Sequence, residues 1–263
     1  MISLPRQARR KSKSGVYHIM LRGANKQEIF HDNEDNARFM NILNKYKKQV
    51  QLKIFAWCLM NNHVHLLIKE GEEELSVTMK RIAVSYVQYY NKKYSTTGHL
   101  FQDRFKSENV ETKRYFLSVV RYIHQNPVKA GMVTHVKEWY WSSCCEYYHK
   151  SSDYQELLDR DGGVLRIFSD NRIIAIKEFQ AFNEKSNADV CFENEKNRIR
   201  TLTDEEARKK IKMILGSITF AQVKSLSRTE RNDILRKVKT AEGISQRQAS
   251  RILGVSLSII HRA

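Results

Sequence analysis

The chain has 263 residues, of which 41% are hydrophobic, and it carries a formal net charge of +17. This length allows one large domain or two smaller ones, and the charge favours a polyanionic partner, nucleic acid before an anionic membrane. No apolar run reaches the roughly 18 residues of a membrane span. The basic N-terminus lacks the apolar segment of a secretory signal, and the four cysteines lack the paired spacing of a zinc site. We therefore expect a cytoplasmic, nucleoid-associated protein with reduced cysteines.

The charge divides the chain into three parts. Residues 1–150 carry +12, from 25 basic and 13 acidic side chains. Residues 151–200 carry −2, from 8 basic and 10 acidic side chains, and residues 201–263 carry +7, from 13 and 6. This distribution predicts a nucleic-acid-binding domain, a connector of mixed structure and a second, helical DNA-binding domain. The alternative is that lysine and arginine only keep helices in solution.

The apolar pattern of the first part predicts the order β-α-β-β-α-β, followed by one more helix. The predicted segments are a strand at 16–21, a helix capped by Asp32 or Asn33, strands at 52–60 and 63–68, a helix after 72–74, a strand at 107–111, and a helix from Lys113 to about Gln125 that Pro127 ends. This is the order of the ferredoxin-like fold, of the α+β class, with a sheet on one side and helices on the other.

Two histidines begin the third predicted strand. His63 and His65 are two residues apart, so their side chains share one face of a strand at a separation of about 7 Å. That distance suits two ligands of one metal ion. A His-x-His pair alone is a weak signal, because one buried and one exposed histidine explain it equally well.

The last helix of this part adds two further candidates. Tyr122 and Asn126 are four residues apart and share a helix face. Two imidazoles and the Asn126 amide oxygen form an open site for a divalent cation, with positions left for phosphate oxygens and water. Tyr122 is then placed to attack a metal-bound phosphate. Tyr115 lies near the same face and competes as nucleophile, but Val119 follows it where a ligand would be needed.

The C-terminal residues have the pattern of a helix-turn-helix. Ser245 can cap a first helix, Ala249 is small where two helices cross, and Gly254 supplies the turn. Val255 fits the core, and Ser256 can cap the second helix, which would lie in the major groove of duplex DNA. The candidate contacts in this part are Arg247, Ser256, Ser258 and Arg262. An ordinary helical hairpin is the alternative interpretation.

Two capping signals precede this pattern. Thr203 with Glu206 is a capping box before a helix through Leu215, and Thr229 can cap a helix through Leu235.

Four motifs in order give residues 5–148 a resemblance to a known family. They are Tyr17-His-Ile-Met-Leu-Arg-Gly, Asn62-His63-Val-His65, Phe101-Gln-Asp-Arg-Phe-Lys, and Tyr122-Ile-His-Gln-Asn126-Pro127-Val-Lys-Ala-Gly131-Met-Val. They resemble the single-tyrosine HUH transposases, and the nearest branch looks like the REP-associated tyrosine transposases. One departure is Asn61, where proline commonly precedes the Asn-His pair. The tail is similar to the DNA-binding end of replication-initiator proteins.

The resemblance implies a ferredoxin-like endonuclease that uses Mg²⁺ or Mn²⁺ on single-stranded or hairpin DNA. The implied reaction cuts one strand, leaves a 5′-phosphotyrosine and a free 3′-hydroxyl, and can rejoin strands. His63, His65 and Asn126 correspond to metal ligands, and Tyr122 corresponds to the nucleophile. The basic residues near this site are candidates for phosphate contact: Arg22, Lys26, Arg104 and Lys106.

Two other functions remain open from the sequence. A DNA-binding regulator with a transposase-like fold but no catalysis would keep the charge and the helix-turn-helix. A metal-dependent hydrolase of small phosphate compounds fits the ligands but not the charge. We expect no membrane partner, duplex DNA at the C-terminal domain, and either a monomer or a homodimer.

Overall fold

A computed structural model describes residues 10–148, 154–159, 163–187, 189, 191, 202–241 and 243–263. Residues 1–9 of the basic N-terminus and much of the predicted connector lie outside the described residues. The strands are β1 (Val16–Arg22), β2 (Lys53–Met60), β3 (His63–Lys69) and β4 (Lys106–Asn109). The helices are α1 (Asn33–Val50), α2 (Leu75–Tyr94), α3 (Lys113–Lys129), α4 (Cys144–Tyr147), α5 (Arg172–Glu184), α6 (Asp204–Leu215), α7 (Arg228–Lys239), α8 (Gln246–Leu253) and α9 (Leu257–Arg262).

The four strands form one sheet in the order β2-β3-β1-β4, and every neighbouring pair is antiparallel. With α1 and α2 as crossovers, this is the ferredoxin-like arrangement that the element order predicts. The α+β prediction is confirmed. The two central strands are β3 and β1. Because each is hydrogen-bonded to a strand on both sides, the backbone that carries their polar side chains is held firmly.

Helices cover both faces of the sheet. The helices α1 and α2 pack on each other, with Phe39 and Tyr86 in edge-to-face contact 5.3 Å apart. The opposite face is covered by α3, which contacts β2 and β3. The expectation of helices on one side only is therefore wrong. The reason is that α3 is apolar along one side, with Val119, Val120 and Ile123 fully buried.

The helix α3 continues past the residue where the sequence predicts its end. Pro127 lies inside the last turn, and the helix runs to Lys129. A proline there removes a single intrahelical hydrogen bond, which one turn can lose without breaking. Ala130 is the C-cap, and Gly131 follows it with a φ of 69°, the left-handed conformation that commonly ends a helix. Asn126 is consequently helical, one turn after Tyr122.

The C-terminal helices α6 to α9 surround their own apolar core, which includes Ala249, Leu253 and Val255. Ser245 caps α8 by accepting from the Gln248 N–H at 3.1 Å, and Gly254 has a φ of 66°. These features agree with the predicted helical pair. Among the described residues, no helix has both the length and the apolar content needed to span a bilayer.

One capping box of this part is confirmed, one expected cap is wrong, and one expected cap is at the predicted position without a capping hydrogen bond. The Thr203–Glu206 box precedes α6. Thr229 lies within α7, because the helix is capped two residues earlier by Ser227, which forms a capping box with Glu230. Ser256 occupies the N-cap of α9 but makes no capping bond, because its hydroxyl pairs with that of Ser258 at 2.9 Å.

The C-terminal helices pack against the loop that follows β1. Arg208 on α6 forms an ion pair with the buried Glu28, and the Glu28 N–H donates to the Arg251 carbonyl at 3.2 Å. Gly254 lies against Gln27, and a Cβ at Gly254 would approach the Gln27 amide oxygen to 2.7 Å. Close approach and a positive φ together explain glycine at this turn.

Candidate metal and nucleophile site

The hairpin of β2 and β3 places the two histidines on one face of the sheet. Asn61 and Asn62 form the turn between the strands, and β3 begins at His63. The rings of His63 and His65 lie 4.9 Å apart at an angle of 86°. Both side chains are buried, His65 completely. The structure therefore brings the predicted pair together, as strand periodicity requires.

The helix α3 brings Tyr122 over the same face. Its ring lies 5.6 Å from the His65 ring, in an edge-on arrangement, and only 5% of the residue is exposed. Thr112 fixes the start of the helix by accepting from the Tyr115 N–H at 3.2 Å. The predicted nucleophile and the predicted imidazole ligands are thus neighbours in the fold, although 57 positions separate His65 from Tyr122 in the chain.

Asn126 lies one turn beyond Tyr122 and is buried. Its Nδ2 donates to the Tyr122 carbonyl at 2.9 Å. This bond fixes the orientation of the amide, because the nitrogen is committed to the backbone and the oxygen is left as the acceptor end. The predicted third ligand is on the helix face that carries Tyr122.

The far nitrogen of each histidine is an unsatisfied buried atom. His63 Nδ1 lies 2.6 Å from the Asn62 side-chain oxygen, and His65 Nδ1 lies 3.1 Å from His18 Nε2. The Nε2 atoms of both rings are buried and make no hydrogen bond within the described part of the chain. A buried polar atom without a partner is costly, and a metal ion is one way to satisfy it.

The electrostatic surroundings keep both rings neutral. Burial, together with the nearby cations Arg22 and Lys26, lowers the pKa of His63 to about 3. Burial, followed by the adjacent His63 and His18, lowers the pKa of His65 well below its usual value. A neutral imidazole presents a lone pair, which is the form that binds metals. The donor set of two imidazole nitrogens and one amide oxygen therefore fits a divalent cation.

The predicted phosphate-binding residues differ in their distance from this site. Arg22 is the cross-strand partner of His63, and Lys106 pairs with Met20, whose other partner is His65. The Lys26 carbonyl accepts from the Asn62 amide at 3.1 Å. Arg104 is exposed in the loop before β4, and no described contact links it to the histidines. Three of the four cations therefore adjoin the site.

The C-terminal candidates lie on a separate surface. Arg247, Ser258 and Arg262 are exposed, and Ser256 is half-buried. Arg262 is held by donating from Nε to the Ser258 carbonyl at 3.1 Å. The two surfaces adjoin through the loop after β1, which contacts Gly254 on one side and the Asn61–Asn62 turn on the other.

Sequence reasoning missed two groups next to the site, His18 and Glu108, and considered a third, Tyr115, only as a competing nucleophile. His18 on β1 is fully buried, and its ring lies 5.8 Å from the Tyr122 ring. Glu108 on β4 is the cross-strand partner of His18. Tyr115 donates its hydroxyl to Glu108 Oε2 at 2.8 Å. The alternation of His18, Met20 and Arg22 in β1 predicts that these side chains share one face of the strand. Only the strand order shows that this face is the one that carries His63 and His65.

One further cluster contains His18. Ligand atoms of His18, Glu108 and Cys191 lie within 4.8 Å of one another. Burial raises the pKa of the Cys191 thiol to about 11, so this sulfur is protonated at neutral pH when no metal ion is bound.

The region that contains the site matches a known protein family. Residues 11–126 match the family described as "Transposase IS200 like". The REP-associated tyrosine transposase of Escherichia coli is 27% identical over 101 residues, which are 38% of this chain and 58% of that protein. A putative REP-associated tyrosine transposase of Haemophilus influenzae is 28% identical over 100 residues, 34% of this chain and 56% of that protein. The chain thus spans a little over half the length of these curated relatives.

Two solved structures are also similar. A REP-associated tyrosine transposase bound to a REP hairpin has 19% identity and a TM-score of 0.49, over 57% of this chain and 93% of that chain. A putative transposase from Deinococcus radiodurans has 16% identity and a TM-score of 0.33, over 46% and 97%. With the family match and the curated relatives, the predicted resemblance to the REP-associated tyrosine transposases is confirmed, and residues 11–126 contain His63, His65, Tyr122 and Asn126.

Proposed function

We propose that the protein is a DNA transposase that acts as a metal-dependent single-strand endonuclease and strand transferase. In this proposal Tyr122 is the nucleophile, and His63, His65 and Asn126 hold Mg²⁺ or Mn²⁺. The observation that carries the proposal is the contact of the Tyr122 ring with His65, which lies beside His63, because the Nε2 atoms of both buried imidazoles have no partner among the described residues. The match of residues 11–126 to a transposase family supports DNA as the substrate, and single-stranded or hairpin DNA is the form that the sequence motifs imply.

The reaction is an exchange of one phosphodiester bond. The Tyr122 Oη attacks the phosphorus and loses its proton, and the bond from phosphorus to the 3′ oxygen breaks. The 3′ oxygen takes up a proton and leaves as a hydroxyl, and the 5′ phosphate remains on Tyr122. Because a phosphotyrosine retains a phosphodiester, attack by another 3′-hydroxyl reverses the step and joins strands.

Each proposed ligand has a distinct role before the reaction. His63 and His65 present lone pairs from a rigid strand, and Asn126 presents an oxygen from the helix that carries Tyr122. A bound divalent cation supplies charge neutralisation and polarisation of the phosphate. The ordinary pKa of a phenol, near 10, makes this assistance necessary at neutral pH. Since Tyr122 and Asn126 lie one turn apart on α3, the helix would hold the nucleophile close to the third ligand of a bound cation.

The DNA is proposed to contact two basic surfaces. Arg22, Lys26 and Lys106 adjoin the histidines and are suited to the phosphates of the strand that is cut. The exposed Arg247 and Arg262 of the C-terminal module are suited to duplex DNA. Two separate surfaces allow one part of a DNA to be held while another part is cut.

The direct test is the covalent adduct. Wild-type protein incubated with Mn²⁺ and single-stranded or hairpin oligonucleotides from the DNA flanking its gene should give a protein–DNA species on a denaturing gel. Tyr122→Phe should abolish this species while fold and DNA binding persist. Tyr46→Phe is the matched control, because its hydroxyl pairs with Ser85 between α1 and α2, away from the site. An adduct formed at the normal rate by Tyr122→Phe would contradict the proposal.

A second candidate function has one observation in its favour. Tyr122 is only 5% exposed, which is low for a residue that must meet a large substrate. A non-catalytic DNA-binding regulator would need no access to it. That function is indicated if the wild-type protein binds hairpin or duplex DNA but forms no adduct with any oligonucleotide in Mn²⁺.

A further inference from the structure

His18 is in direct contact with a proposed metal ligand, although the proposed reaction does not use it. It lies on the central strand β1 and is completely buried. Its Nε2 is 3.1 Å from His65 Nδ1, and the two rings are 5.2 Å apart. Its Nδ1 faces β4, where Glu108 Oε2 is 3.7 Å away. The three side chains form a line from the edge of the sheet to the site.

The tautomers along this line depend on one another. A neutral imidazole has one N–H donor and one acceptor nitrogen. Since His18 Nε2 and His65 Nδ1 are hydrogen-bonded, one must donate and the other must accept. If His65 Nδ1 donates, its Nε2 keeps a lone pair that can bind a metal. If His18 Nε2 donates instead, His65 Nε2 carries the proton and cannot bind a metal.

Glu108 selects between these two arrangements. A carboxylate oxygen is an acceptor only, so the proton of His18 belongs on Nδ1, facing Glu108. The other arrangement would turn the Nδ1 lone pair toward the carboxylate and would bury an N–H at His65 Nε2 with no described acceptor. The Glu108 carboxylate is itself held by the Tyr115 hydroxyl at 2.8 Å.

We propose that His18 and Glu108 are positioning residues that fix the tautomer of His65, so that its Nε2 is always available to the metal. This inference rests on the proposed function, because it assumes that His65 is a metal ligand. It also gives Tyr115 a role as the anchor of Glu108. Removal of a hydrogen-bond partner that orients a metal-ligating histidine typically weakens metal binding about 10- to 100-fold. We expect a loss in this range when His18 is replaced.

A competing use of the same residues makes the opposite prediction. A metal bound by His18, Glu108 and Cys191 would occupy His18 Nδ1 and move its proton to Nε2. His18 would then donate to His65, and His65 Nε2 would be protonated. Two Mn²⁺ ions per chain, one of them lost in Cys191→Ser, would overturn the proposal.

The first experiment reads the tautomer without any metal. Nitrogen-15 NMR of histidine-labelled protein in chelator distinguishes a protonated from an unprotonated ring nitrogen, and His65→Gln assigns the resonances. We expect the proton of His65 on Nδ1 in the wild type. In His18→Phe, which removes the acceptor, we expect the proton to move in part to Nε2. A wild-type His65 with its proton on Nε2 would overturn the proposal.

The second experiment measures Mn²⁺ affinity by calorimetry in the absence of DNA. His18→Phe should bind Mn²⁺ about 10- to 100-fold more weakly than the wild type. His18→Gln should stay within about threefold, because its amide oxygen can accept from His65 and its nitrogen can donate to Glu108. Equal affinity in His18→Phe and the wild type, or equal weakness in the two variants, would contradict the assignment.

His124→Phe is the control variant for a loss of Mn²⁺ affinity that results only from general destabilisation. His124 is equally buried, and its nitrogens pair with Asn183 and Ser143, away from the metal-facing nitrogens. This variant should lose stability but retain Mn²⁺ affinity. Failure of the proposed function would appear as a missing adduct. Failure of the positioning role would appear in the tautomer and in the Mn²⁺ affinity, which are measured without DNA cleavage, so the two failures can be distinguished.

Discussion

The sheet region and the C-terminal module carry their functional side chains in opposite ways. In the sheet region His63, His65 and Tyr122 are at most 8% exposed, and the imidazoles are kept neutral. In the module Arg247 and Arg262 are exposed cations on short helices. Burial fixes the positions of side chains, which a bond-making reaction needs. Exposed cations attract the DNA phosphates in a salt-dependent way, which DNA binding needs. The two regions should therefore respond to mutation, pH and salt in different ways.

The largest effect is expected from the buried ligands. The double variant His63→Ala and His65→Ala should lower Mn²⁺-dependent cleavage by about 10³-fold or more, because several kcal/mol of transition-state stabilisation is lost. Duplex binding by the C-terminal module should persist in the same variant, which serves as the control for folding. Cleavage that continues unchanged in chelator would refute a metal site in the sheet region.

A pH effect of intermediate size should come from a buried histidine of the sheet region. Burial lowers the pKa of His124 to about 4, whereas an unfolded histidine titrates near 6.5. Between these values the unfolded chain binds a proton that the folded chain does not, so stability falls as pH falls from about 6.5 to 4. One such group contributes a slope of at most about 1.4 kcal/mol per pH unit.

The slope is measured by denaturant unfolding at several pH values in chelator. His124→Gln keeps hydrogen-bonding groups but cannot titrate, so it should reduce the slope by about the amount of one group. An unchanged slope in His124→Gln would show that this buried imidazole is not the cause.

The smallest effect is expected from the exposed cations. Arg247→Ala with Arg262→Ala should weaken duplex binding about tenfold at low salt and reduce the salt slope by about two. The control removes the same charge from the outer helices of the sheet region, with Lys45→Ala and Lys80→Ala. Adduct formation at saturating single-stranded DNA should not change in either variant. An equal loss of duplex affinity in both would assign the effect to net charge rather than to the module.

Local periodicity explains what could be predicted from the sequence. The spacing of His63 and His65 on a strand, and of Tyr122 and Asn126 on a helix, defines shared faces without knowledge of the fold. The capping signals at Asp32, Thr203 and Ser245 have the same local character and are confirmed.

The rest depends on contacts that spacing does not encode. The line from Glu108 through His18 to His65 requires the order and register of β4, β1 and β3, which sequence separation does not reveal. The helix across Pro127 was missed because a proline in the last turn removes only one bond, while the buried face of α3 continues to favour helix. The cap at Ser227 instead of Thr229, and the Ser256 hydroxyl that pairs with Ser258 instead of the backbone, depend on how neighbouring side chains pair at a helix end.

The central claim is that Tyr122, and not Tyr115, carries the DNA. The most direct measurement is to trap the adduct with a short oligonucleotide and Mn²⁺, digest the protein, and locate the modified tyrosine by tandem mass spectrometry. The proposed site predicts a nucleotide phosphate on Tyr122, absent from the double variant His63→Ala and His65→Ala. A nucleotide on Tyr115, whose hydroxyl donates to Glu108, would contradict both the nucleophile and the positioning role assigned to that hydrogen bond.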